Sequence, residues 1–247
     1  MKMFNPQSIW VLLTGFSSLI LALSITWVLL AQAQFFYGVW HDVGGIKEGI
    51  AAYGPKNKYK EGFADTTRSQ RIALFSEINQ AIHQHGNGLS TIRYQTPTSK
   101  GYQYLLREPE VVHLRDVANL IDVMRWVVLV NVIVWLALVA VTFKIRKPYF
   151  GLKKQLPPMA LTLAIVVAIL CLFGPEVVFN QLHIWVFPDD HAWFFYYQDS
   201  LMSTMMLAPV LFGWIAAVWL VLAVMIFLGI IHIIDLLQNY LWREQGA

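Results

Sequence analysis

Glu110-Val-Val-His113-Leu-Arg-Asp116-Val-Ala-Asn119-Leu-Ile-Asp122 leads within three residues to the apolar run Trp126-Val-Val-Leu-Val-Asn-Val-Ile-Val-Trp135. The reading of the fold turns on this stretch. Pro109 suits the first turn of a helix, and a single helix can carry the polar half directly into a membrane span from Trp126 to Phe143. Three-residue spacing sets Glu110, His113 and Asp116 on one side of that helix, so the imidazole has a carboxylate above and below it. A titratable cluster is therefore expected where the helix enters the bilayer surface.

The rest of the chain supports a membrane protein. Of 247 residues, 57% are hydrophobic and only 13% charged, with a mean hydropathy of +0.53. A soluble domain carries about 25% charged residues. The formal charge of +3 gives no reason to expect nucleic acid, because the basic residues gather at one membrane face. The one cysteine, Cys171, lies in an apolar run and reads as packing.

Four spans are expected, at about 9–31, 126–143, 159–179 and 207–234. The first is preceded by Lys2, and Ala31-Gln-Ala33 after it imitates a cleavage site. The run is nevertheless longer than the usual ~7–15-residue core of a signal peptide, so it reads as a retained span. Between spans two and three, Lys144, Arg146, Lys147, Lys153 and Lys154 stand without an acidic residue. The positive-inside rule places that loop in the cytoplasm. By alternation both termini are cytoplasmic, and the segments 35–125 and 180–206 lie outside. The second of these carries Asp189, Asp190 and Asp199 but no lysine or arginine.

The expected fold is thus an all-α membrane protein, a four-transmembrane-helix bundle with a small extracytoplasmic α(+β) domain between spans 1 and 2. In that domain Thr67 is placed to cap a helix over 68–85, with Ile72, Phe75, Ile78 and Ile82 inward and Gly86 closing it. Leu89 to Tyr94 and Gly101 to Leu106 suit a hairpin. Tyr37, Trp40 and Tyr53 suit an interfacial aromatic belt. Gly44, Gly45, Gly49 and Gly54 punctuate a segment whose structure the sequence leaves open.

Two further segments hold candidate chemistry. Gly174-Pro175-Glu176 should kink the third span and set Glu176 near membrane depth, where an ionisable side chain is suspect; pairing with Arg125 or Arg115 is the plainer reading. The second outer segment offers His183, His191 and a run of aromatics suited to the headgroup level. Two outer segments, each with a histidine and each abutting a span, allow His183 to approach His113.

Taken together these segments resemble the bacterial lipoprotein intramolecular transacylase family. Glu110-Val-Val-His113-Leu-Arg-Asp116-Val resembles its E-x-x-H-[ML]-x-D-V motif, and His183, Pro188, Trp193 and Asp199 resemble its second motif. The layout of spans and loops is similar along nearly the whole chain. Two features depart from the pattern: His191-Ala192 lengthens the second motif by one residue, and Met202 to Pro209 lacks an acidic ending. The resemblance implies transfer of the sn-2 acyl chain of a diacylglyceryl lipoprotein to the α-amino group of its own N-terminal cysteine. It implies lipoprotein and membrane phospholipid as partners and no cofactor.

On that reading His113 is the general base, Asp116 fixes its tautomer and His183 donates to the oxyanion or leaving oxygen. A transiently acylated histidine is equally compatible. Glu110, Arg115, Trp193, Asp199 and Glu176 are candidates for holding substrate, although Glu110 also has Arg107 and Arg115 for partners. Three other readings compete. Ser200 beside Asp199 is the best-placed outer serine, but G-x-S-x-G is missing. His113, Asp116, His183 and a further carboxylate suggest a zinc hydrolase, without the H-E-x-x-H spacing. A non-catalytic scaffold with an outer binding domain is the third. His232 and Asp235 fall at the other end of the last span and read as a structural pair.

Overall fold

A computed structural model describes residues 6–97 and 101–244; Lys2 and part of the expected hairpin turn lie outside them. The described helices are α1 (Pro6–Gln32), α2 (Tyr37–Val43), α3 (Ile46–Tyr53), α4 (Arg68–His83), α5 (Glu108–Ile145), α6 (Leu152–Phe173), α7 (Pro175–Val186), α8 (Leu201–Met206) and α9 (Val210–Glu244). Two two-residue strands, β1 (Arg93–Tyr94) and β2 (Gln103–Tyr104), pair antiparallel. The segments Gln7–Gln32, Glu108–Ile145, Leu152–Phe173 and Val210–Arg243 are long and apolar enough to cross a membrane. The chain divides into two compact units. One comprises the described parts of Met1–Leu29, Arg125–Gly174 and Val218–Ala247, the other those of Leu30–Met124 and Pro175–Ala217.

The first unit is built from spanning segments. Ala22, Phe150, Met159, Phe227, Ile231 and Ile234 form its core. Because lipid tails supply little hydrophobic drive between helices, polar contacts and close packing must fix them. Ser17 Oγ donates to Asn131 Oδ1 at 2.9 Å, and Asn131 Nδ2 returns a bond to the Ser17 carbonyl at 3.0 Å. Trp135 Nε1 donates to Ser18 Oγ at 2.9 Å, and Trp219 Nε1 to the Leu23 carbonyl at 2.9 Å.

The second unit has its own core, in which Tyr37, Ile46, Ile50, Phe63, Ile78, Tyr94 and Met205 are almost fully enclosed. Thr67 caps α4 as expected: its hydroxyl oxygen accepts from the Gln70 N–H, and its own N–H donates to Gln70 Oε1, which completes a capping box. The helix ends two residues before the expected limit. There His85 takes a positive φ and the Gly86 N–H closes onto the Ala81 carbonyl at 2.9 Å. Tyr37 is not an interfacial aromatic: it is fully buried, stacks on Phe75 at 4.2 Å and donates its hydroxyl proton to the Met205 carbonyl. The glycine-punctuated segment is a pair of short helices, α2 and α3. Gly49 lets α3 approach Leu207, whose Cδ1 would lie 2.6 Å from an added Cβ.

The largest departure from the sequence reading is at the third span. The expected kinked helix over 159–179 is two helices broken at Gly174, whose φ of +82° and ψ of 148° exclude other residues. The following residue, Pro175, begins α7, where a missing N–H costs nothing. His183 accordingly sits on a helix and not in a loop. At its start, α6 extends seven residues beyond the expected boundary at Met159 and tolerates Pro157 and Pro158 inside it.

Candidate active site

All the outer candidate residues belong to the second unit. The first turns of α5 set their arrangement. Arg107 precedes the helix, and Glu110, its third residue, reaches back to accept the Arg107 backbone N–H at 2.6 Å. The same carboxylate accepts from Ser200 Oγ at 2.5 Å and from the Met202 N–H at 3.3 Å. With no exposure and these donors satisfied, Glu110 is a staple between the start of α5 and the start of α8. This differs from the expectation that it holds substrate, because unpaired N–H groups at a helix start compete successfully for a nearby carboxylate. Ser200 is equally committed. It is fully buried, donates to Glu110 and caps α8 by accepting from the Ser203 N–H at 2.9 Å.

One turn further on, His113 is 8% exposed and lies among rings. Phe187 stands edge-on at 5.0 Å, with His183 and Phe195 at 6.1 and 6.2 Å between centroids. Its Nδ1 is sealed and has no hydrogen-bond partner among the described residues. Neither Glu110 nor Asp116 holds the imidazole. Asp116, expected to orient His113, instead accepts from His191 Nδ1 at 2.7 Å. Residues three apart share a helix side without having to meet, and a donor from another segment has taken this carboxylate.

His183 joins the cluster from α7. Its Nδ1 lies 2.8 Å from the Phe179 carbonyl one turn back, and its ring packs against Phe179 at 4.0 Å, Trp193 at 4.9 Å and Phe187 at 5.2 Å. A carbonyl only accepts, so Nδ1 carries the proton and Nε2 holds a free lone pair. Burial pushes the His183 pKa below its ordinary value of 6.5, against a smaller upward pull from the Phe179 carbonyl. The neutral base is therefore the resting form.

The remaining sequence candidates scatter. Trp193 is in the ring cluster. Asp199 pairs with Lys58 at 3.0 Å, and the Lys58 N–H donates to the Gln198 carbonyl, so this carboxylate ties down its own segment. Glu176 is exposed in the first turn of α7. Arg115, two residues past His113, points roughly 200° around the helix and packs beside Gly86. His191, a candidate for chemistry from sequence, is the partner of Asp116, a pairing that nothing along the chain signals. Among the described residues no three histidine, cysteine or carboxylate side chains converge as metal ligands, so the zinc reading lacks a ligand set.

Two imidazoles in an aromatic enclosure, one with its tautomer fixed by a backbone carbonyl, are suited to moving protons in a dry site. The sequence matches the family model described as lipoprotein intramolecular transacylase Lit over residues 74–208. Solved structures of the membrane integral lipoprotein intramolecular transacylase Lit from Bacillus cereus share its fold. One has a TM-score of 0.64 at 13% identity, covering 97% of this chain and 97% of that one. Another has a TM-score of 0.63 at 14% identity, covering 97% and 93%. No protein with a curated description matches.

Proposed function

We infer the chemistry from one premise: this chain belongs to the lipoprotein intramolecular transacylase family, whose model matches more than half of it. It is a membrane acyltransferase acting on lipoproteins. We assign the transfer as movement of the sn-2 acyl chain of a diacylglyceryl lipoprotein to the α-amino group of its N-terminal cysteine. Ester and amine belong to one substrate, so positioning supplies much of the rate; oriented intramolecular reactions reach effective molarities of about 10⁵–10⁸ M. The amine nitrogen attacks the ester carbonyl, the oxyanion collapses, the sn-2 oxygen leaves and takes a proton, and a lyso-lipoprotein with an N-acyl cysteine remains.

The observation that carries the assignment of roles is the Phe179 carbonyl on His183 Nδ1. It leaves Nε2 of His183 as the base that takes the proton of the attacking amine and returns it to the leaving oxygen. This reverses the roles read from sequence. For His113 the sealed Nδ1 favours the tautomer protonated at Nε2, because buried N–H groups without partners are rarer than buried acceptors without them. His113 Nε2–H then donates to the oxyanion. Asp116, held by His191, contributes a negative charge near His113 without touching it. Trp193 and the neighbouring phenylalanines keep water from the ester. The basic segment between α5 and α6 supports cytoplasmic termini in a bacterial membrane, with this cluster on the outer face.

The test is mass spectrometry of lipoprotein N-termini after the full-length protein is incubated with a synthetic diacylglyceryl lipopeptide. The expected product has lost no mass but yields an N-acyl cysteine and a monoacylglyceryl group on fragmentation. Release of free fatty acid instead would mean hydrolysis and would overturn the assignment.

A further inference from the structure

A second site lies in the first unit. Gln7, Ser8, Val11 and Leu12 of α1 and Lys153, Lys154, Pro157 and Pro158 of α6 line a cavity of about 400 Å³. These residues are the first turns of two spanning segments, which begin at Gln7 and Leu152. The cavity therefore sits at the depth of lipid headgroups.

Its walls are fixed by Gln155, whose side chain is 1% exposed. Gln155 Nε2 lies 3.0 Å from the Val11 carbonyl, 2.9 Å from Thr14 Oγ1 and 2.8 Å from the Tyr149 carbonyl, joining α1 to α6. Gly15 allows the approach, since an added Cβ would lie 2.3 Å from Gln155 Oε1. Trp10 stacks on Tyr149 at 5.8 Å in the same joint. The separation of the two helix starts is thus set by buried contacts.

Two kinds of polar group belong to the lining residues. The ammonium groups of Lys153 and Lys154 supply positive charge; both side chains are exposed, and Lys154 Nζ leans over the Tyr149 ring at 5.9 Å. The second kind is created by the prolines. Pro157 and Pro158 have no N–H, so the carbonyls of Lys153 and Lys154, one turn earlier on the same helix face, lack their helical donors. At headgroup depth such carbonyls are open to a donor from outside the helix. Cations beside acceptors, with Leu12 and the proline rings as an apolar floor, match a group that is an anion at one end and a primary ammonium at the other.

We propose that this cavity binds the headgroup of an aminophospholipid, its phosphate on Lys153 and Lys154 and its ammonium on the carbonyls freed by Pro157 and Pro158. Native mass spectrometry of the full-length protein in detergent tests it, with phosphatidylethanolamine, phosphatidylcholine and phosphatidylglycerol of matched acyl chains. Phosphatidylethanolamine should be retained about tenfold better than phosphatidylcholine, whose quaternary nitrogen has no proton to donate. Lys153→Gln with Lys154→Gln should weaken phosphatidylethanolamine by about fivefold per lysine. Pro157→Ala with Pro158→Ala returns the missing amide donors and should abolish the preference over phosphatidylcholine. Equal retention of phosphatidylethanolamine and phosphatidylcholine, or no response to the lysine pair, overturns the site. A strong preference for phosphatidylglycerol that the proline pair leaves unchanged reduces it to a plain anionic patch and overturns the ammonium contact. Transacylation by each variant, expected within twofold of wild type, shows that the protein is folded.

Discussion

Two buried histidine regions of the same unit solve the problem of a polar ring away from water in opposite ways. His41 on α2 is 2% exposed, and both its nitrogens are engaged. Nε2 faces Arg71 Nη1 at 3.3 Å, and because arginine only donates, Nδ1 carries the proton and donates to Asp42 Oδ1 at 2.9 Å. Arg71 in turn satisfies Thr66 Oγ1 and the Ala64 carbonyl. Around His113 and His183 the surroundings are rings, one nitrogen is sealed without a partner and another is left as a bare lone pair. The first arrangement uses imidazole as mortar. The second leaves nitrogens underemployed, and an unsatisfied buried group costs about 1–3 kcal/mol, a cost that folding alone gives no reason to retain.

Breaking the contrast at its strongest point means replacing His183 with a ring that cannot take a proton. His183→Phe keeps the packing against Phe179 and Trp193 and should lower the rate of conversion by about 10²–10⁴-fold with unfolding in detergent unchanged. A rate within tenfold of wild type would end its role as base. His113→Ala follows, with an expected loss of about 10²–10³-fold, the usual cost of one oxyanion donor. Measured by the same lipopeptide conversion, a greater loss than for His183→Phe would restore the roles read from sequence.

The acid limb of kcat/KM sharpens the comparison further. Because burial depresses the His183 pKa, the neutral base persists as pH falls through 6.5, and activity should decline only below that value. The same depression makes stability that is fully present above pH 6.5 fall away as the pH drops through the lowered folded value. A limb centred above 6.5 contradicts the burial argument.

Asp116→Asn keeps an acceptor for His191 while removing the charge, so activity should fall by about tenfold, in line with a charge that acts across space. The smallest effect on activity, and the largest on stability, belongs to the other region. His41→Ala leaves the Arg71 guanidinium short of a partner and should cost on the order of 2 kcal/mol, about 4–8 °C in unfolding midpoint, with conversion within twofold. A His41 variant that unfolds normally but fails to convert substrate would erase the distinction.

How far the sequence could be read depended on the range of the interactions involved. Four apolar runs of membrane length are a local property of composition, as are the Thr67 capping box and the continuity of α5 from Glu110 past Trp126. The break at Gly174 was visible as a glycine-proline pair, but whether such a pair bends a helix or ends it depends on what the following segment packs against. Glu110 reads from sequence as a carboxylate for substrate or for a nearby arginine; that the amide of Arg107 and the hydroxyl of Ser200, ninety residues away, claim it is visible only in the fold.

By itself, then, the sequence determined the membrane class and four apolar runs of spanning length, since hydropathy is written along the chain. Tertiary structure alone decided which carboxylate meets which imidazole and which nitrogen keeps its lone pair. Asp116 went to His191 and the Nδ1 proton of His183 went to a carbonyl because hydrogen bonds are settled by proximity in space among competing partners, and spacing along a helix counts only those on the same helix.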